Sequence, residues 1–327
     1  MGAALGGQTC RGDGRSGPRC KELETTALHS GSGSEDSSAT SPRSYASSSS
    51  GEICCWQPDR QKDFHLVPPK GWNGFIKAMG ISARNNFPWD GKRPVPMAPP
   101  GCEPWLLPVS DEMSMRIAKL AESLREAGWK ILTSKPHVIL RLGNKAKLRD
   151  YAVDVGLLTY LPRHYGSLDD VEYPCVLKPA TGEYGKEAHI ADCDEDVLEV
   201  TSDGFGSSWV LQELITGCYE YAVSLLVQNG SILDAVGTRY EYSKERYVWP
   251  AVEEVGRDLF TVPDAHLSTM VRFLAEYSGI CNFNYKLRED GRLCIFEINT
   301  RVGSDLACDV PRRRARDFFN RLLELRP

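Results

Sequence analysis

The sequence contains no apolar run near the ~18 residues that a membrane-spanning helix needs. It also has no excess of positive charge, because its net charge is −5 and charged residues make up 25% of the chain. Neither a membrane nor a nucleic acid is therefore expected as a partner. At 327 residues, the chain is long enough to bury a substantial core as one large or two ordinary domains.

Cysteine pairs with metal-binding spacing are also absent. The eleven cysteines are scattered and none forms a C-x-x-C pair, so neither a zinc site nor a disulfide framework is indicated. Reduced thiols are typical of an intracellular protein, and we expect a cytoplasmic one. The chain lacks a Gly-rich dinucleotide fingerprint as well, which disfavours a nicotinamide-dependent Rossmann enzyme.

The composition of the first third of the chain changes in steps. Residues 1–52 are rich in Gly and Ser and poor in large apolar side chains, which predicts a disordered tail. The tail's arginines and serines favour an organelle-targeting peptide and its acidic residues argue against one, so targeting stays open. Residues 53–109 are rich in Pro and Trp and predict an irregular segment. Residues 110–143 predict the remnant of a small α/β domain.

Helix signals begin at Ser110, which can cap a helix that stops at Gly128. Residues 129–133 then predict a short strand. A second helix is predicted from a cap at Asn144 to a stop at Gly156. Together these helix–strand units are typical of an α/β region.

Farther along, the pattern predicts strands and hairpins. A short apolar strand ends at Lys178 and is followed by a loop that contains Gly182, Gly185 and Lys186. Such a loop can fold over a polyphosphate with its backbone N–H groups and Lys186, while Lys178 holds a phosphate as a point charge. A plain β-hairpin loop with a surface lysine is the alternative.

Apolar runs and turn signals predict the remaining elements. The Asn229-Gly230 pair favours a type I′ hairpin, and residues 264–278 predict a helix. The predicted strands cover residues 209–212, 219–228, 231–236, 281–287 and 293–298.

The last predicted strand runs into three polar side chains. Glu297 and Asn299 lie two residues apart, so on a strand they point to the same face. A carboxylate and a carboxamide aimed at one point form a hard-oxygen site of the kind that Mg²⁺ accepts. Arg301 follows two residues later. A local hydrogen-bond network at the strand end is the alternative interpretation.

In this order the motifs resemble those of the ATP-grasp superfamily of carboxylate–amine and carboxylate–thiol ligases. That superfamily includes D-alanine–D-alanine ligase, biotin carboxylase and the large subunit of carbamoyl-phosphate synthetase. The resemblance covers about half of the chain and implies an α+β fold in which two α+β subdomains grip ATP. It places the ATP-grasp domain at residues 144–311 and a C-terminal helix at residues 312–327, after a shortened α/β region and the disordered tail.

The resemblance also implies a role for each motif. ATP would be bound by two basic residues, the glycine loop, a linker between the subdomains and a ribose-binding carboxylate: Lys145, Lys178, Gly182, Gly185, Lys186, Gln212, Glu213, Leu214, Ile215 and Glu220. Mg²⁺ or Mn²⁺ would be held by Glu297, Asn299 and Asn284, and Asn284 stands where relatives commonly carry a carboxylate or a glutamine. Lys178 and Arg301 would act on the transferred phosphate or the acid substrate.

These roles imply an ATP- and Mg²⁺-dependent ligase for small molecules. It would activate a small carboxylate as an acyl phosphate and join it to an amine, with release of ADP and phosphate. A catalytically idle ATP-binding regulatory or scaffold protein is the alternative, suggested by Asn284 and the short front domain, and a small-molecule kinase is a third. Tyr240, Tyr242, Lys244 and Arg246 either line the substrate pocket or form a solvated loop. The identities of the acid and the amine and the oligomeric state are left open.

Overall fold

The structure, a computed structural model, describes residues 63–68, 74, 76, 79, 81, 86–87, 89–182, 187–201 and 204–326. All of these residues lie in one compact unit, Trp56–Pro327. The predicted disordered tail lies outside the described residues, as does part of the predicted irregular segment. The domain boundaries drawn from the sequence stay predictions.

The described helices are α1 (Asp111–Lys119), α2 (Ala121–Glu126), α3 (Pro136–Gly143), α4 (Lys145–Asp154), α5 (Asp194–Val200), α6 (Asp264–Phe273) and α7 (Arg312–Leu323). The described strands are β1 (Phe64–Val67), β2 (Trp105–Pro108), β3 (His164–Tyr165), β4 (Cys175–Pro179), β5 (His189–Ala191), β6 (Trp209–Glu213), β7 (Tyr219–Gln228), β8 (Ser231–Tyr242), β9 (Glu254–Phe260), β10 (Gly279–Leu287) and β11 (Leu293–Asn299). A π-helical turn, Asp305–Asp309, follows β11. Within the described ranges, no helix combines the length and the apolar character that crossing a membrane requires.

Most strands belong to two antiparallel sheets. The large sheet has the strand order β11-β10-β7-β8-β9, and the small sheet has the order β3-β6-β4-β5. Every neighbouring pair in both sheets is antiparallel. Strands β1 and β2 form a separate parallel pair. Helices together with antiparallel sheets confirm the predicted α+β class.

The predicted hairpin at Asn229-Gly230 is confirmed. Both residues have positive φ angles, 50° and 76°, as a type I′ turn requires. Glycine is also needed at position 230 because an added Cβ atom would lie 2.8 Å from the carbonyl oxygen of Ala275. Strand β7 has the predicted bounds, whereas β8 continues to Tyr242 because it pairs with β7 on one side and β9 on the other.

Both predicted helix caps are present. The side chains of Ser110 and Asn144 accept hydrogen bonds from the backbone N–H three residues on, at 3.2 and 3.0 Å. The helix after Ser110 differs from the prediction, since Leu120 leaves helical geometry (φ −113°, ψ 17°) and separates α1 from α2. Helix α6 is shorter than predicted and ends at Phe273. Helix α3 was not predicted, although Pro136 at its first position fits a helix start.

The predicted strand at residues 129–133 is wrong. Only Lys130 pairs with β2: its N–H donates to Pro104 O, and its carbonyl accepts from Leu106 N, both at 2.9 Å. The next donor on that side of β2 would be Pro108, which has no N–H group. The ladder therefore stops after one bridge.

Strand alternation gives the large sheet two different faces. On β7, Val223, Leu225 and Val227 are fully buried in a core that includes side chains of α3, α4 and α6. Glu220 and Ala222 of the same strand line a cavity. Because successive side chains of a strand point to opposite faces, one face of the sheet packs on these three helices. The other face lines the cavity in part and elsewhere packs on α7 through Leu226.

The small sheet alternates in the same way. Cys175 and Leu177 of β4 pack with Leu211 of β6 in an apolar core. Val176 and Lys178, which alternate with them on β4, line the same cavity. Each sheet thus contributes part of one face to the cavity.

Helix α7 packs into the core that supports the large sheet. Phe318 and Phe319 are fully buried, and Phe319 meets Phe64 of β1 edge to face, with ring centres 5.6 Å apart. Arg314 of α7 donates to Asp234 Oδ2 of β8 at 3.0 Å. The C-terminal helix is therefore an integral part of this core.

Replacing Phe319 with Ala should lower the free energy of unfolding by about 3–5 kcal/mol, because truncating a buried aromatic ring removes apolar contacts and leaves a cavity. Leu323→Ala is the matched control, since Leu323 lies on the same helix but is 37% exposed. That change should stay within about 0.5 kcal/mol. Urea denaturation followed by circular dichroism measures both values, and equal effects of the two substitutions would contradict this packing.

Candidate functional site

A cavity of about 420 Å³ is lined by residues from both sheets. Most of the site residues predicted from the sequence lie along it: Lys178, Gln212, Glu213, Leu214, Ile215, Glu220, Asn284, Glu297, Asn299 and Arg301. The fold therefore gathers motifs that are far apart in the chain at one place.

The other predicted site residues are placed differently. Lys145 does not line the cavity, but its side chain is buried and its Nζ lies 3.6 Å from Glu297 Oε2. Gly182 is described and does not line the cavity. Gly185 and Lys186 lie outside the described residues, so their contact with a phosphate stays a prediction.

The four residues considered for a substrate pocket divide into two pairs. Tyr240 and Tyr242, at the end of β8, are buried and line the cavity. Lys244 and Arg246 are exposed and are not part of its lining. The pocket interpretation therefore applies to the tyrosines and the solvated-loop interpretation to the basic residues.

The end of β11 presents a carboxylate beside two carboxamides. Glu297 is opposite Asn284 of β10, and Asn299 is opposite Asn282. The side-chain N–H groups of Asn284 and Asn299 both donate to Glu297 Oε1, at 2.9 and 3.2 Å. The three predicted metal ligands are thus in contact with one another.

Glu297 keeps its charge in a half-buried position because two lysines flank it. Burial alone would raise the pKa of its carboxyl, but Lys145 and Lys178 together bring the pKa below its usual value. The hydrogen bond from Asn299 acts in the same direction. The carboxylate is therefore ionised at neutral pH and can act as an acceptor or a ligand.

Lys178 reaches from the small sheet to the large one. Its Nζ donates to the carbonyl oxygen of Phe296 on β11 at 3.2 Å and lies 5.5 Å from the centre of that residue's ring. Burial, and then repulsion by Lys145, lowers the pKa of Lys178 to about 7. An anion bound in the cavity would favour the charged form of this lysine.

The linker between the two sheets is held by charged side chains. Arg288 forms a bidentate ion pair with Glu213, with N···O distances of 2.6 and 2.8 Å. Lys286 Nζ donates to the carbonyl oxygens of Ile215 and Gly217, at 3.1 and 2.9 Å. The backbone of the linker is therefore fixed by side chains from the end of β10.

Lys286 was not predicted from the sequence. A signal was present, because it follows Asn284 by two residues on one strand and so shares its face. Lys286 attracts the carboxylate of Glu220, whose pKa burial raises to about 7. Tyr247 Oη also donates to Glu220 Oε2, at 3.2 Å. Lys286 and Tyr247 both line the cavity beside Glu220, the predicted ribose-binding carboxylate.

Asp305 is a second cavity residue that was not predicted. Its carboxylate accepts hydrogen bonds from Ser224 Oγ at 3.0 Å and from Asn282 Nδ2 at 2.9 Å. Gly303 makes this possible, since an added side-chain carbon would collide with Asp305 Oδ1 and Asn282 Nδ2. Burial raises the pKa of Asp305 to about 6. Its only signal in the sequence was its place directly after the small-residue loop.

Arg301 is buried at the end of the metal-binding strand. Its NH2 group donates to Asn299 Oδ1 at 3.3 Å, and its NH1 group donates to Val302 O at 3.2 Å. Asp111 of α1 lies 3.9 Å from its Nε. The guanidinium thus orients Asn299 and brings a fixed positive charge to the cavity wall.

Asp305→Asn should gain stability relative to the wild type as the pH rises from 4 to 8. Because folding raises the pKa of Asp305 from 3.8 to about 6, the stability that this group contributes at low pH is lost as the pH rises through about 6. A neutral amide avoids this loss, so the difference in unfolding free energy should shift by about 3 kcal/mol in favour of the variant. Urea denaturation at several pH values measures the shift, and a difference that does not change with pH would contradict it.

No protein-family model matches the chain, and no curated protein matches its sequence. Solved structures, by contrast, do match this chain. The D-alanine–D-alanine ligase from Bacillus anthracis is 15% identical, with 69% of this chain and 80% of that chain covered and a TM-score of 0.49. The D-alanine–D-alanine ligase from Helicobacter pylori is 14% identical, with 66% and 70% covered and a TM-score of 0.48.

The L-amino acid ligase from Bacillus licheniformis is 19% identical, with 61% of this chain covered and a TM-score of 0.46. This chain spans 49% of the length of that ligase. At such identities and TM-scores, these structures assign neither an activity nor a substrate. Two antiparallel sheets line one cavity, and most of the residues that match ATP-grasp motifs lie along it, in agreement with the predicted α+β fold.

Proposed function

We propose that the protein is an ATP- and Mg²⁺-dependent ligase that activates a small carboxylate as an acyl phosphate and joins it to an amine. The observation that carries the proposal is the meeting of Lys178 and Glu297 in one cavity, although they belong to different sheets. A half-buried lysine and a half-buried carboxylate with two carboxamides, all lining one cavity, support the binding of a polyphosphate together with a metal ion.

In this proposal the nucleotide lies between the two sheets. The apolar side chains of Val176, Leu214 and Phe296 line the cavity and hold the adenine, while backbone groups of the linker contact its edge. Glu220 accepts hydrogen bonds from the ribose hydroxyls. Lys178, Lys145 and the glycine loop together offset the charge of the phosphates.

The residues at the end of β11 fit a magnesium ion. Among the described residues, no three His, Cys, Asp or Glu side chains gather as a metal cluster. Mg²⁺ does not need one, because it is usually held by one or two carboxylates together with phosphate oxygens and water. Glu297, Asn299 and Asn284 provide one carboxylate and two carboxamides. Mg²⁺ held there supplies positive charge next to the transferring phosphoryl group.

The reaction then needs two displacements. An oxygen of the acid attacks the γ-phosphorus of ATP, the bond to the β–γ bridging oxygen breaks, and ADP and an acyl phosphate form. Lys178 and Arg301 offset negative charge on the transferring group. The amine next attacks the acyl carbon, phosphate leaves, and the amine loses a proton to give the amide. Positioning and electrostatics carry both steps, so no Ser–His or Cys–His pair is required.

A second candidate is an ATP-binding protein that does not turn over. It is favoured by the orientation of the two asparagines, since the N–H groups of Asn284 and Asn299 face Glu297. Both amides must rotate before their carbonyl oxygens can serve as metal ligands. This candidate predicts that ATP raises the thermal stability of the protein without any release of ADP.

An ADP-release screen with the full chain separates the two candidates. Amino acids and small carboxylates are tested with Mg²⁺ and ATP, each with and without amines, and the ligase should release ADP only when an acid is present. Glu297→Gln should lower the rate by about 10²-fold, as expected when a group that stabilises the transition state is lost. Glu289→Gln, an exposed change in the turn between β10 and β11, is the control and should leave the rate unchanged. Failure of ATP to bind in a calorimetric titration would refute both candidate functions, since each of them requires ATP binding.

ATP affinity should weaken above neutral pH because of Lys178. Its pKa of about 7 means that the free protein loses this positive charge as the pH rises from 6 to 8. A guanidinium stays protonated in this range, so the Kd ratio of wild type to Lys178→Arg should rise about tenfold between pH 6 and 8. Calorimetric titration of both proteins at three pH values measures the ratio. A constant ratio would show that Lys178 does not contact the nucleotide.

A further inference from the structure

One end of the cavity carries a group of aromatic side chains that the proposed chemistry does not use. We call Tyr240, Tyr242, Tyr247 and Trp249 the aromatic cluster; all four line the cavity. Tyr242 is at its centre, with ring centres 6.3 Å from Tyr240, 4.6 Å from Tyr247 and 6.2 Å from Trp249. Trp249 is 44% exposed, so the cluster extends from the interior to the surface.

The protein already places its own cations on two of these rings. Lys286 Nζ lies 3.8 Å from the ring centre of Tyr247, and the guanidinium carbon of Arg257 lies 5.5 Å from that of Tyr240. Among the described residues, no cation is stacked on Tyr242 or Trp249. Aromatic faces attract cations through their quadrupole, and Trp249, at 44% exposure, offers a ring that a ligand cation can reach.

The charges around the cluster favour the same kind of ligand. Arg257 is shared by two carboxylates, since it forms ion pairs with both Glu254 and Asp309. A third carboxylate, Glu220, faces Lys286. At Arg257 two carboxylates thus meet one guanidinium, and one negative charge is left over beside the ring of Tyr240.

The hydroxyl of Tyr242 is available for a hydrogen bond with a ligand. Tyr242 is only 7% exposed, yet its hydroxyl forms no hydrogen bond with a described residue. By contrast, the hydroxyl of Tyr240 donates to Asp309 at 2.7 Å, and that of Tyr247 donates to Glu220. Because Tyr242 lines the cavity, a ligand N–H group can donate to this hydroxyl without displacing a protein partner.

We propose that the aromatic cluster binds the positively charged, non-reacting end of the amine substrate, which is therefore a diamine or an amine with a second cationic group. The inference rests on the proposed ligase function, whose substrate class it narrows. The acid substrate is not expected there, because the carboxylates around Tyr242 would repel it, and its carboxylate is matched by Arg301 and Lys178. The ammonium group donates to Tyr242 Oη and lies against the faces of Tyr242 and Trp249.

Two probes of equal length test the charge requirement. Pentane-1,5-diamine carries ammonium groups, and pentane-1,5-diol has the same length without a charge. Calorimetric titration of the full chain, with and without ATP and Mg²⁺, should show the diamine bound at least tenfold more tightly. Equal affinities, or tighter binding of the diol, would overturn the inference.

Two variants locate the binding to the aromatic cluster. Trp249→Leu removes an exposed ring and should weaken diamine binding about two- to fivefold, as expected for a cation–π contact near the surface, with no change for the uncharged diol. Tyr242→Phe keeps the ring, removes the hydroxyl and should weaken diamine binding as well. Leu259→Ala is the control, since Leu259 is 53% exposed on β9 and does not line the cavity. If Trp249→Leu and Tyr242→Phe both leave the diamine affinity unchanged, the cluster is not the site.

The binding measurements test the cation site and the ADP-release screen tests the ligase proposal, so one proposal can be refuted without the other. Acid-dependent ADP release without a preference for the diamine would leave the ligase proposal standing and refute the cation site. Selective diamine binding without any ATP binding would refute the ligase proposal and leave a cation-binding cavity.

Discussion

The two sheets are held together by basic side chains that cross from one to the other. Lys178 extends from β4 to a carbonyl of β11, Lys286 from β10 to two carbonyls of the linker, and Arg288 from the end of β10 to Glu213. The partners are one carbonyl oxygen for Lys178, two for Lys286 and a carboxylate for Arg288. The position of each sheet relative to the other, and with it the shape of the cavity, depends on these three contacts.

The same contacts explain why neighbouring carboxyls in one cavity behave differently. Burial disfavours the charge on both Glu297 and Glu220. Glu297 has two lysines near it, which outweigh burial, whereas Glu220 has Lys286 as its main positive neighbour and its pKa rises to about 7. The cavity thus contains one firmly ionised carboxylate and one whose charge depends on what is bound. Whether a charge survives burial is decided by the balance of attraction and repulsion at that group, since Glu220 is also repelled by Glu297.

Local signals in the sequence were sufficient for caps, turns and strand ends. Ser110, Asn144 and Asn229-Gly230 act through contacts within a few residues, and Glu297 with Asn299 needs only the two-residue period of a strand. Other features depend on a neighbouring strand. The predicted strand at residues 129–133 fails because of Pro108, which lies more than 20 positions away and lacks an N–H group at the one place where the ladder needs it.

The cavity residues that were not predicted depend on distant contacts in the same way. Asp305 becomes a buried acceptor only because Ser224 and Asn282, on two other strands, meet it there. Lys286 matters because the linker passes within reach of its amine. Neither contact follows from spacing within one segment, so both needed the register of the large sheet to be known.

The lowered pKa of Lys178 has a chemical consequence of its own. With a pKa of about 7, about half of these side chains are neutral amines at neutral pH. Ordinary lysines titrate near 10.4 and are almost fully protonated there, and only the neutral amine is a nucleophile. Acylating reagents small enough to enter the cavity should therefore label Lys178 well before the exposed lysines, which would make it a selective covalent handle on the interior of this protein.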